Sequence, residues 1–178
     1  MFDYNIMTGI PGSGKSYIVK QLYKKYKNNG KRCVIICPDT IRKKLTGDEM
    51  NQSRNREVFQ IAERLVRRAL SRKINVIFDA TNVNPRARKS ALSYANDLEN
   101  PEECHKRSIE VVCPLDIAKI RNNNRPETHR VPDDVIESFY LRYTSPSLDE
   151  GFDTLIRYNN SRNAEIENDV IEEEKDGR

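Results

Sequence analysis

A glycine-rich segment near the start of the chain has the residue types needed to hold a chain of phosphates. Residues 9–16 read Gly-Ile-Pro-Gly-Ser-Gly-Lys-Ser, which fits the spacing Gly-x4-Gly-Lys-Ser. Glycines let the backbone N–H groups turn inward around anionic oxygens, and a following helix adds the positive end of its dipole. In this pattern the lysine contacts the β- and γ-phosphates and the serine hydroxyl coordinates Mg²⁺. The spacing therefore predicts a nucleoside triphosphate cradle, with Lys15 and Ser16 in those roles.

The segments on either side of the cradle are those that the mechanism requires. Residues 2–8 form an apolar-rich, strand-like segment, and residues 16–28 carry apolar side chains at helical spacing. A glycine-rich turn capped by serine is the alternative interpretation, and it leaves this strand–loop–helix order unexplained. The predicted contacts to the phosphate donor are Gly9, Ile10, Pro11, Gly12, Ser13, Gly14, Lys15 and Ser16.

Two aspartates follow other strand-like segments. Asp39 comes after residues 33–37, and Asp79 ends the segment 75–79. Ligands of parallel α/β sheets bind outside the carboxyl ends of the strands, so both carboxylates are expected beside the cradle. Asp39 is predicted to accept a proton from an attacking hydroxyl, although it also suits the start of a short helix. Asp79 is predicted to hold the Mg²⁺ water shell or orient an arginine; the alternative is a carboxylate that only fixes the loop.

Two arginines further along suit a mobile cover over the cradle. Arg121 and Arg125 are four residues apart, so helical spacing puts them on one side, and the polar stretch 126–130 follows. Arginines on such a lid would neutralise charge on the transferring phosphoryl group. Without the cradle they would be interpreted as a solvated helix face.

The rest of the chain alternates strand-like and helix-like segments, which predicts parallel pairing with helices on both faces. The prediction is an α/β P-loop NTPase fold with a parallel five-stranded sheet sandwiched by helices. It forms one domain over residues 1–160, followed by an acidic tail at 161–178 that is helical or disordered. Predicted strands are 2–8, 33–37, 75–79, 108–113 and 154–158, and predicted helices are 16–28, 39–45, 55–71, 85–99, 115–123 and 132–143.

The charge is unevenly distributed. The 178 residues carry 31 basic and 27 acidic side chains, of which residues 164–178 hold two and seven, so the remainder has a net charge of +9. A basic body favours a polyanionic partner, although lysines and arginines also solvate helix faces. No apolar run approaches the roughly 18–20 residues that span a bilayer, and no membrane partner is expected. The four cysteines include no Cys-x-x-Cys pair, so we expect reduced thiols and a cytoplasmic location (host cytoplasm if the chain is viral).

Two other classes of P-loop protein are excluded by missing motifs. The guanine-reading Asn-Lys-x-Asp and the switch Asp-x-x-Gly of GTPases do not occur, nor does the Leu-Ser-Gly-Gly signature of ABC transporters. The second predicted strand is followed instead by Pro38-Asp39-Thr40-Ile41-Arg42, and a carboxylate placed like Asp39 is what a kinase requires.

The ordered set of motifs resembles the 5′-hydroxyl polynucleotide kinase family, in particular the kinase domain of the bacteriophage-type polynucleotide kinase-phosphatase. The resemblance covers about residues 4–158. It implies an adenylate-kinase-like arrangement with a lid, and transfer of the γ-phosphate of ATP (or another NTP), with Mg²⁺, to the 5′-OH of DNA or RNA. The motifs that carry it are the cradle, Asp39-x-x-Arg42, Asp79-Ala80-Thr81-Asn82-Val83-Asn84-Pro85, Arg121-Asn-Asn-Asn-Arg125, and Val131-Pro132 followed by Val135-Ile136.

The resemblance also implies individual roles. Asp39 matches the general base, Arg42 an arginine that contacts the acceptor's 3′-phosphate and pairs with a carboxylate, and Arg125 the lid arginine on the donor phosphates. Arg121 fits the lid by position. Asp79, Thr81 and Asn82 are expected at the acceptor, with Asp79 and Ser16 at the metal. In the phage-type enzyme the carboxylate near this arginine directly precedes the Thr-Asn pair, whereas here Ala80 separates Asp79 from Thr81. The identity of the carboxylate that pairs with Arg42 is therefore left open.

Several alternatives remain at the sequence level. No Asp-x-Asp-x-Thr occurs, so no phosphatase activity is expected. The protein could instead be a small-molecule kinase acting on a nucleoside or sugar nucleotide, or a nucleotide-binding regulator without transfer activity. The clusters Arg54/Arg56 and Arg86/Arg88/Lys89 either track a nucleic-acid backbone or are merely solvent-facing charge.

Overall fold

The strands assemble into a single sheet with the cradle at its centre. The computed structural model describes residues 1–160 and 170–175. Five strands run parallel in the order β2-β3-β1-β4-β5, and a sixth, β6, pairs antiparallel with β5 at the edge. The strands are β1 (Phe2–Thr8), β2 (Cys33–Ile36), β3 (Asn75–Phe78), β4 (Cys104–Val112), β5 (Thr154–Asn159) and β6 (Val170–Glu174).

Helices connect successive parallel strands, which confirms the predicted α/β P-loop architecture. None of the helices in the described ranges is long and apolar enough to cross a membrane. The four cysteines are free thiols. The helices are α1 (Lys15–Asn28), α2 (Pro38–Thr46), α3 (Asn55–Leu70), α4 (Pro85–Leu92), α5 (Leu115–Asn123) and α6 (Asp133–Leu141), with 3₁₀ turns at Gln52–Arg54, Ser93–Ala95, Pro101–Glu103, Glu127–His129 and Leu148–Glu150.

The sixth strand corrects the prediction for the acidic tail. Residues 170–174 form β6, so the expectation of a helical or disordered tail is wrong for them. The strand is held by antiparallel pairing with β5 (Leu155 opposite Glu173), while Ile171 is half exposed. A strand held by backbone pairing at a sheet edge needs no apolar alternation, which is the pattern that sequence reasoning looks for. The rest of the predicted tail, 161–169 and 176–178, lies outside the described residues.

Two predicted boundaries were also wrong. Helix α4 ends at Leu92 and gives way to the 3₁₀ turn Ser93–Ala95, well before residue 99. Strand β4 begins at Cys104, four residues before the predicted start, because it pairs with all seven residues of β1 from Phe2 onward. The polar sequence of residues 105–107 hides this strand from a search for apolar runs.

Alternate residues of β1 build the two halves of the core. Tyr4 and Ile6 pack on the face covered by α3 and α4. Met7 packs on the opposite face with Ile18 and Val19 of α1. Because both faces are covered, the carboxyl edge of the sheet, where β1 runs into the cradle, is left as the place for a ligand.

Arg88 of α4 is fully buried and organises the chain beside this edge. Its Nε and Nη2 donate to the two carboxylate oxygens of Glu150 at 2.7 Å each, and its side chain is 0% exposed. Its Nη1 donates to the carbonyls of Asn82 (3.2 Å) and Thr144 (2.7 Å). Neither interpretation of the Arg86/Arg88/Lys89 cluster therefore holds for Arg88, because its guanidinium neither faces solvent nor is available to a nucleic-acid backbone.

Candidate active site

Gly12 and Gly14 are two of the cradle positions at which only glycine is tolerated. Gly12 and Gly14 have φ angles of 83° and 101°, in the left-handed region. A Cβ atom at Gly12 would lie 2.3 Å from the carbonyl oxygen of Ala118, and one at Gly14 would lie 2.3 Å from Nδ2 of Asn160. The glycines thus provide both the turn and the close packing of the loop against α5 and the end of β5.

Lys15 lies across the loop. Its Nζ donates to the carbonyl oxygens of Gly9 and Ile10, both at 2.8 Å. Burial lowers its pKa to about 8; the negative charge of Asp79 opposes this change, and the positive charge of Arg125 adds to it. Loss of hydration disfavours the ammonium form of Lys15. An anion bound beside Lys15 would stabilise that form and raise its pKa again.

Three of the predicted site residues act electrostatically on Lys15. Asp79, Arg125 and Asp39 all influence its pKa, which places their charges around the cradle. The pKa of Asp79 is itself raised, first by burial and then by the charge of Asp39, while Lys15 opposes the rise. The structure therefore brings together residues that follow β1, β2, β3 and α5.

Two neighbouring carboxylates beside a phosphate cradle suit a divalent cation. The raised pKa of Asp79 means that its ionised form lacks full compensation from the protein. Ser16, in the first turn of α1, has an exposed side chain. Hydroxyl and carboxylate oxygens are the ligands that Mg²⁺ takes when phosphates complete its coordination. Ser16 and Asp79 thus fit the metal role predicted for them, which stays a prediction.

Asp39 lies in the first turn of α2 and forms an ion pair with Arg42. The side chain of Asp39 is 67% exposed, whereas that of Arg42 is 5% exposed. Arg42 also donates to the carbonyl of Glu49 (3.0 Å) and to Oδ1 of Asn55 (2.9 Å). The ion pair of Arg42 is therefore with Asp39 rather than with Asp79. Arg42, itself held by Glu49 and Asn55, orients the Asp39 carboxylate. The predicted contact of Arg42 with an acceptor phosphate stays a prediction.

The residues after β3 support the cradle from below. The backbone N–H of Gly9 donates to the carbonyl of Thr81 at 2.9 Å. Asn82 is buried, and its Nδ2 donates to the carbonyl of Met7 at 2.8 Å. The structure thus directs the Asn82 amide into the protein, next to the strand that carries the cradle. The predicted contacts of Thr81 and Asn82 with an acceptor are not tested by this arrangement.

The segment predicted to form a lid is held at its base by a side chain that sequence reasoning missed. Asn122, fully buried near the end of α5, donates through Nδ2 to the carbonyl of Val131 (2.7 Å) and accepts from the backbone N–H of the same residue (3.0 Å). These bonds join the end of α5 to Val131 and so close the loop of residues 124–130 at its base. His129, within that loop, contacts the carboxylate of Glu49, which lies just after α2. The asparagine run between the two arginines was the available signal, but three identical residues did not indicate which one is buried.

Asn160 is a second residue that was missed, and it touches both the cradle and Arg121 of α5. Its Nδ2 donates to the carbonyl of Ser13 at 2.7 Å, and its Oδ1 accepts from Nη2 of Arg121 at 2.9 Å. The rule that placed candidates after strands applies to Asn160 as well, since it directly follows β5. Its position was overlooked because Asn159 and Asn160, which follow the last predicted strand, belong to no recognised motif.

Known proteins with related sequences and structures include RNA-directed and small-molecule kinases. The L-seryl-tRNA(Sec) kinase of Methanococcus maripaludis is 26% identical over 148 residues, which cover 83% of this chain and 55% of that protein. A chain of the Pnkp1/Rnl/Hen1 RNA repair complex superimposes with a TM-score of 0.66 at 22% identity, covering 79% of this chain and 43% of that one. The APS kinase CysC of Mycobacterium tuberculosis, solved with AMPPNP and APS, gives a TM-score of 0.62 at 16% identity and covers 91% and 90% of the two chains.

The first two of these proteins are much longer, so this chain spans only about half of each. At these identities the structural likeness shows the fold. The family is shown by the sequence profile of the AAA_33 family, described as an AAA domain, which matches residues 5–146 and therefore most of the chain. The chain belongs to the AAA_33 family, and its architecture is that of the P-loop kinases.

Proposed function

We propose that this protein is an ATP-dependent polynucleotide 5′-hydroxyl kinase that transfers the γ-phosphate to the 5′-OH end of DNA or RNA. The observation that carries the proposal is the arrangement around Lys15. An exposed carboxylate held by a buried arginine (Asp39 and Arg42) lies on one side of the phosphate cradle, and the lid arginine Arg125 lies near enough to influence the same lysine. A base, a phosphate site and a charge-neutralising arginine are the parts that phosphoryl transfer to a hydroxyl needs.

Each group has one task in the proposed reaction. The Asp39 carboxylate accepts the proton of the acceptor hydroxyl as that oxygen attacks the γ-phosphorus. The bond between the γ-phosphorus and the β–γ bridging oxygen breaks, and ADP leaves with the electron pair. Lys15 and Arg125 stabilise the charge on the transferring group and the leaving oxygen. Ser16 and the Asp79 carboxylate would hold Mg²⁺, which would supply charge neutralisation at the donor phosphates.

The polynucleotide acceptor is supported by the ordered motifs and by the charge of the body. A net charge of +9 outside residues 164–178 suits a polyanionic acceptor. The acceptor side also has free cationic surface, since Lys43 lies one helical turn from Asp39 on α2 and is exposed. These observations favour an acceptor longer than a single nucleoside.

A second candidate is a kinase that phosphorylates an RNA-linked hydroxyl other than the 5′-OH end, such as that of a seryl group on a tRNA. It is favoured by the 26% identity to a protein named L-seryl-tRNA(Sec) kinase. The same Asp39, Lys15 and Arg125 would serve that reaction, because only the acceptor hydroxyl differs. The two candidates therefore differ in the acceptor groove and not in the chemistry of the cradle.

Acceptor screening with γ-labelled ATP separates the candidates. Purified protein with Mg²⁺ is offered 5′-OH RNA and DNA oligonucleotides, matched 5′-phosphorylated oligonucleotides, seryl-tRNA, a nucleoside and a sugar nucleotide. We expect label at 5′-OH oligonucleotide ends, with an acceptor KM that rises with salt as phosphate contacts are screened. Label confined to seryl-tRNA would favour the second candidate, and label confined to the small acceptors, insensitive to added oligonucleotide, would contradict both.

The low pKa of Lys15 gives a pH dependence of donor binding. With its pKa near 8, the lysine loses its proton as the pH rises through that value. Bound phosphates raise the pKa again, so binding takes up a proton above pH 8, and ATP affinity falls with rising pH by up to about tenfold per unit. Calorimetry of ATP binding in buffers of different ionisation enthalpy, at pH 7 and pH 9, measures this uptake.

Lys15→Arg is the matched control for that experiment, because its guanidinium stays charged throughout this range. We expect weaker binding at pH 7 but no proton uptake at pH 9. Equal uptake by wild type and the variant would assign the proton to another group and contradict the role given to Lys15.

A further inference from the structure

Asn160 occupies a junction between three parts of the molecule. It is 4% exposed, and its backbone N–H donates to the carbonyl of Val112 at 2.9 Å, which extends the pairing of β5 with β4 by one residue. Its side chain then leaves the sheet and inserts between the cradle and α5. A buried amide has a donor and an acceptor end to satisfy, and both ends are used here.

The donor end holds the cradle. Nδ2 donates to the carbonyl of Ser13 at 2.7 Å, one residue before Gly14. The packing leaves no room at Gly14, where an added Cβ would lie 2.3 Å from the same Nδ2. Because the Ser13 carbonyl is fixed on the side of Asn160, the peptide that joins Ser13 to Gly14 has a fixed orientation, and with it the direction of the Gly14 N–H.

The acceptor end holds the lid helix. Oδ1 accepts from Nη2 of Arg121 at 2.9 Å, and the backbone carbonyl of Asn160 accepts from Nη1 at 3.3 Å. The guanidinium is thereby bound by two atoms of one residue, which fixes its plane as well as its position. Arg121 lies in the last turn of α5, immediately before the Asn122 that closes the lid loop.

We propose that Asn160 is a positioning residue that holds the phosphate cradle and Arg121 in register, so that both meet the donor nucleotide together. The inference rests on the proposed donor site and does not depend on the identity of the acceptor. Removing the side chain removes the bond to the Ser13 carbonyl and the bond from Nη2 of Arg121 at once, so its effect falls on nucleotide binding and on kcat/KM for ATP. The acceptor binds on the other side of the cradle, so its KM stays unchanged.

Nucleotide titration of an alanine variant tests the proposal. Binding of ADP and of a non-hydrolysable ATP analogue is measured by calorimetry for wild type, Asn160→Ala and Asn160→Asp, and thermal unfolding is recorded without nucleotide. We expect about tenfold weaker binding for both variants, since the aspartate keeps the contact to Arg121 but turns an oxygen toward the Ser13 carbonyl. Asn159→Ala is the matched control, because that neighbouring side chain is exposed, and it should bind like wild type.

A double-mutant cycle with Arg121→Ala provides the test that a purely structural role would not pass. If Asn160 acts through the register of cradle and Arg121, the double variant binds nucleotide no more weakly than the weaker of the two single variants. Independent, multiplying losses would overturn the proposal. So would unchanged nucleotide affinity in Asn160→Ala with a lower Tm. Because these measurements need no acceptor, failure of the 5′-kinase assignment would leave their outcome readable.

Discussion

Asp39→Asn is expected to lower kcat on the order of 10²-fold or more while nucleotide binding survives. The asparagine has nearly the same shape and keeps an oxygen that accepts from Arg42, but it cannot take a proton from the attacking hydroxyl. The side chain is 67% exposed, so the substitution disturbs little packing. Single-turnover transfer of labelled phosphate to a 5′-OH oligonucleotide measures the chemical step, and titration with an ATP analogue measures binding.

Asp97→Asn is a suitable control, because Asp97 is also an exposed aspartate paired with an arginine, Arg67. It should transfer phosphate at the wild-type rate. A wild-type rate in Asp39→Asn would mean that Asp39 only stabilises the start of α2 and is not the general base. If in addition Lys15→Ala abolished the biological function, the alternative of a nucleotide-binding regulator would be favoured.

The parts of the site that could be predicted are those written in contiguous sequence. The cradle is encoded in eight consecutive residues, Asp79 directly follows β3, and Asp39 comes three residues after the end of β2. Once the strands are known to be parallel, their carboxyl ends must share one edge of the sheet, and the aspartates converge on Lys15 without further information. The positions of the five parallel strands along the chain need only local signals, whereas their spatial order β2-β3-β1-β4-β5 was not predicted.

The features that were missed depend on partners distant in the chain. Arg88 finds its carboxylate 62 residues later, and Asn160 bonds to a carbonyl 147 residues earlier. Before the fold is known, a buried arginine in a basic cluster looks like its exposed neighbours Arg86 and Lys89. Strand β6 likewise exists through its pairing with β5, and its own three consecutive glutamates give no apolar signal.

The burial of Arg88 gives the largest expected effect on stability. Arg88→Met should lower the free energy of unfolding by about 3–5 kcal/mol, because it leaves the Glu150 carboxylate without its buried partner. It also removes the donors to the carbonyls of Asn82 and Thr144, which tie the segment before α4 to the segment after α6. Equilibrium denaturation in urea measures the loss as a lower midpoint at unchanged slope.

Arg86→Met on the same helix should change the unfolding free energy by no more than about 0.5 kcal/mol, since Arg86 is exposed. The double variant Arg88→Met/Glu150→Met should recover part of the loss, because no uncompensated charge remains buried. If Arg88→Met were as stable as Arg86→Met, the ion pair would not hold these segments. Loss of stability in the double variant equal to the sum of the two single variants would show that the guanidinium and the carboxylate do not act as one unit.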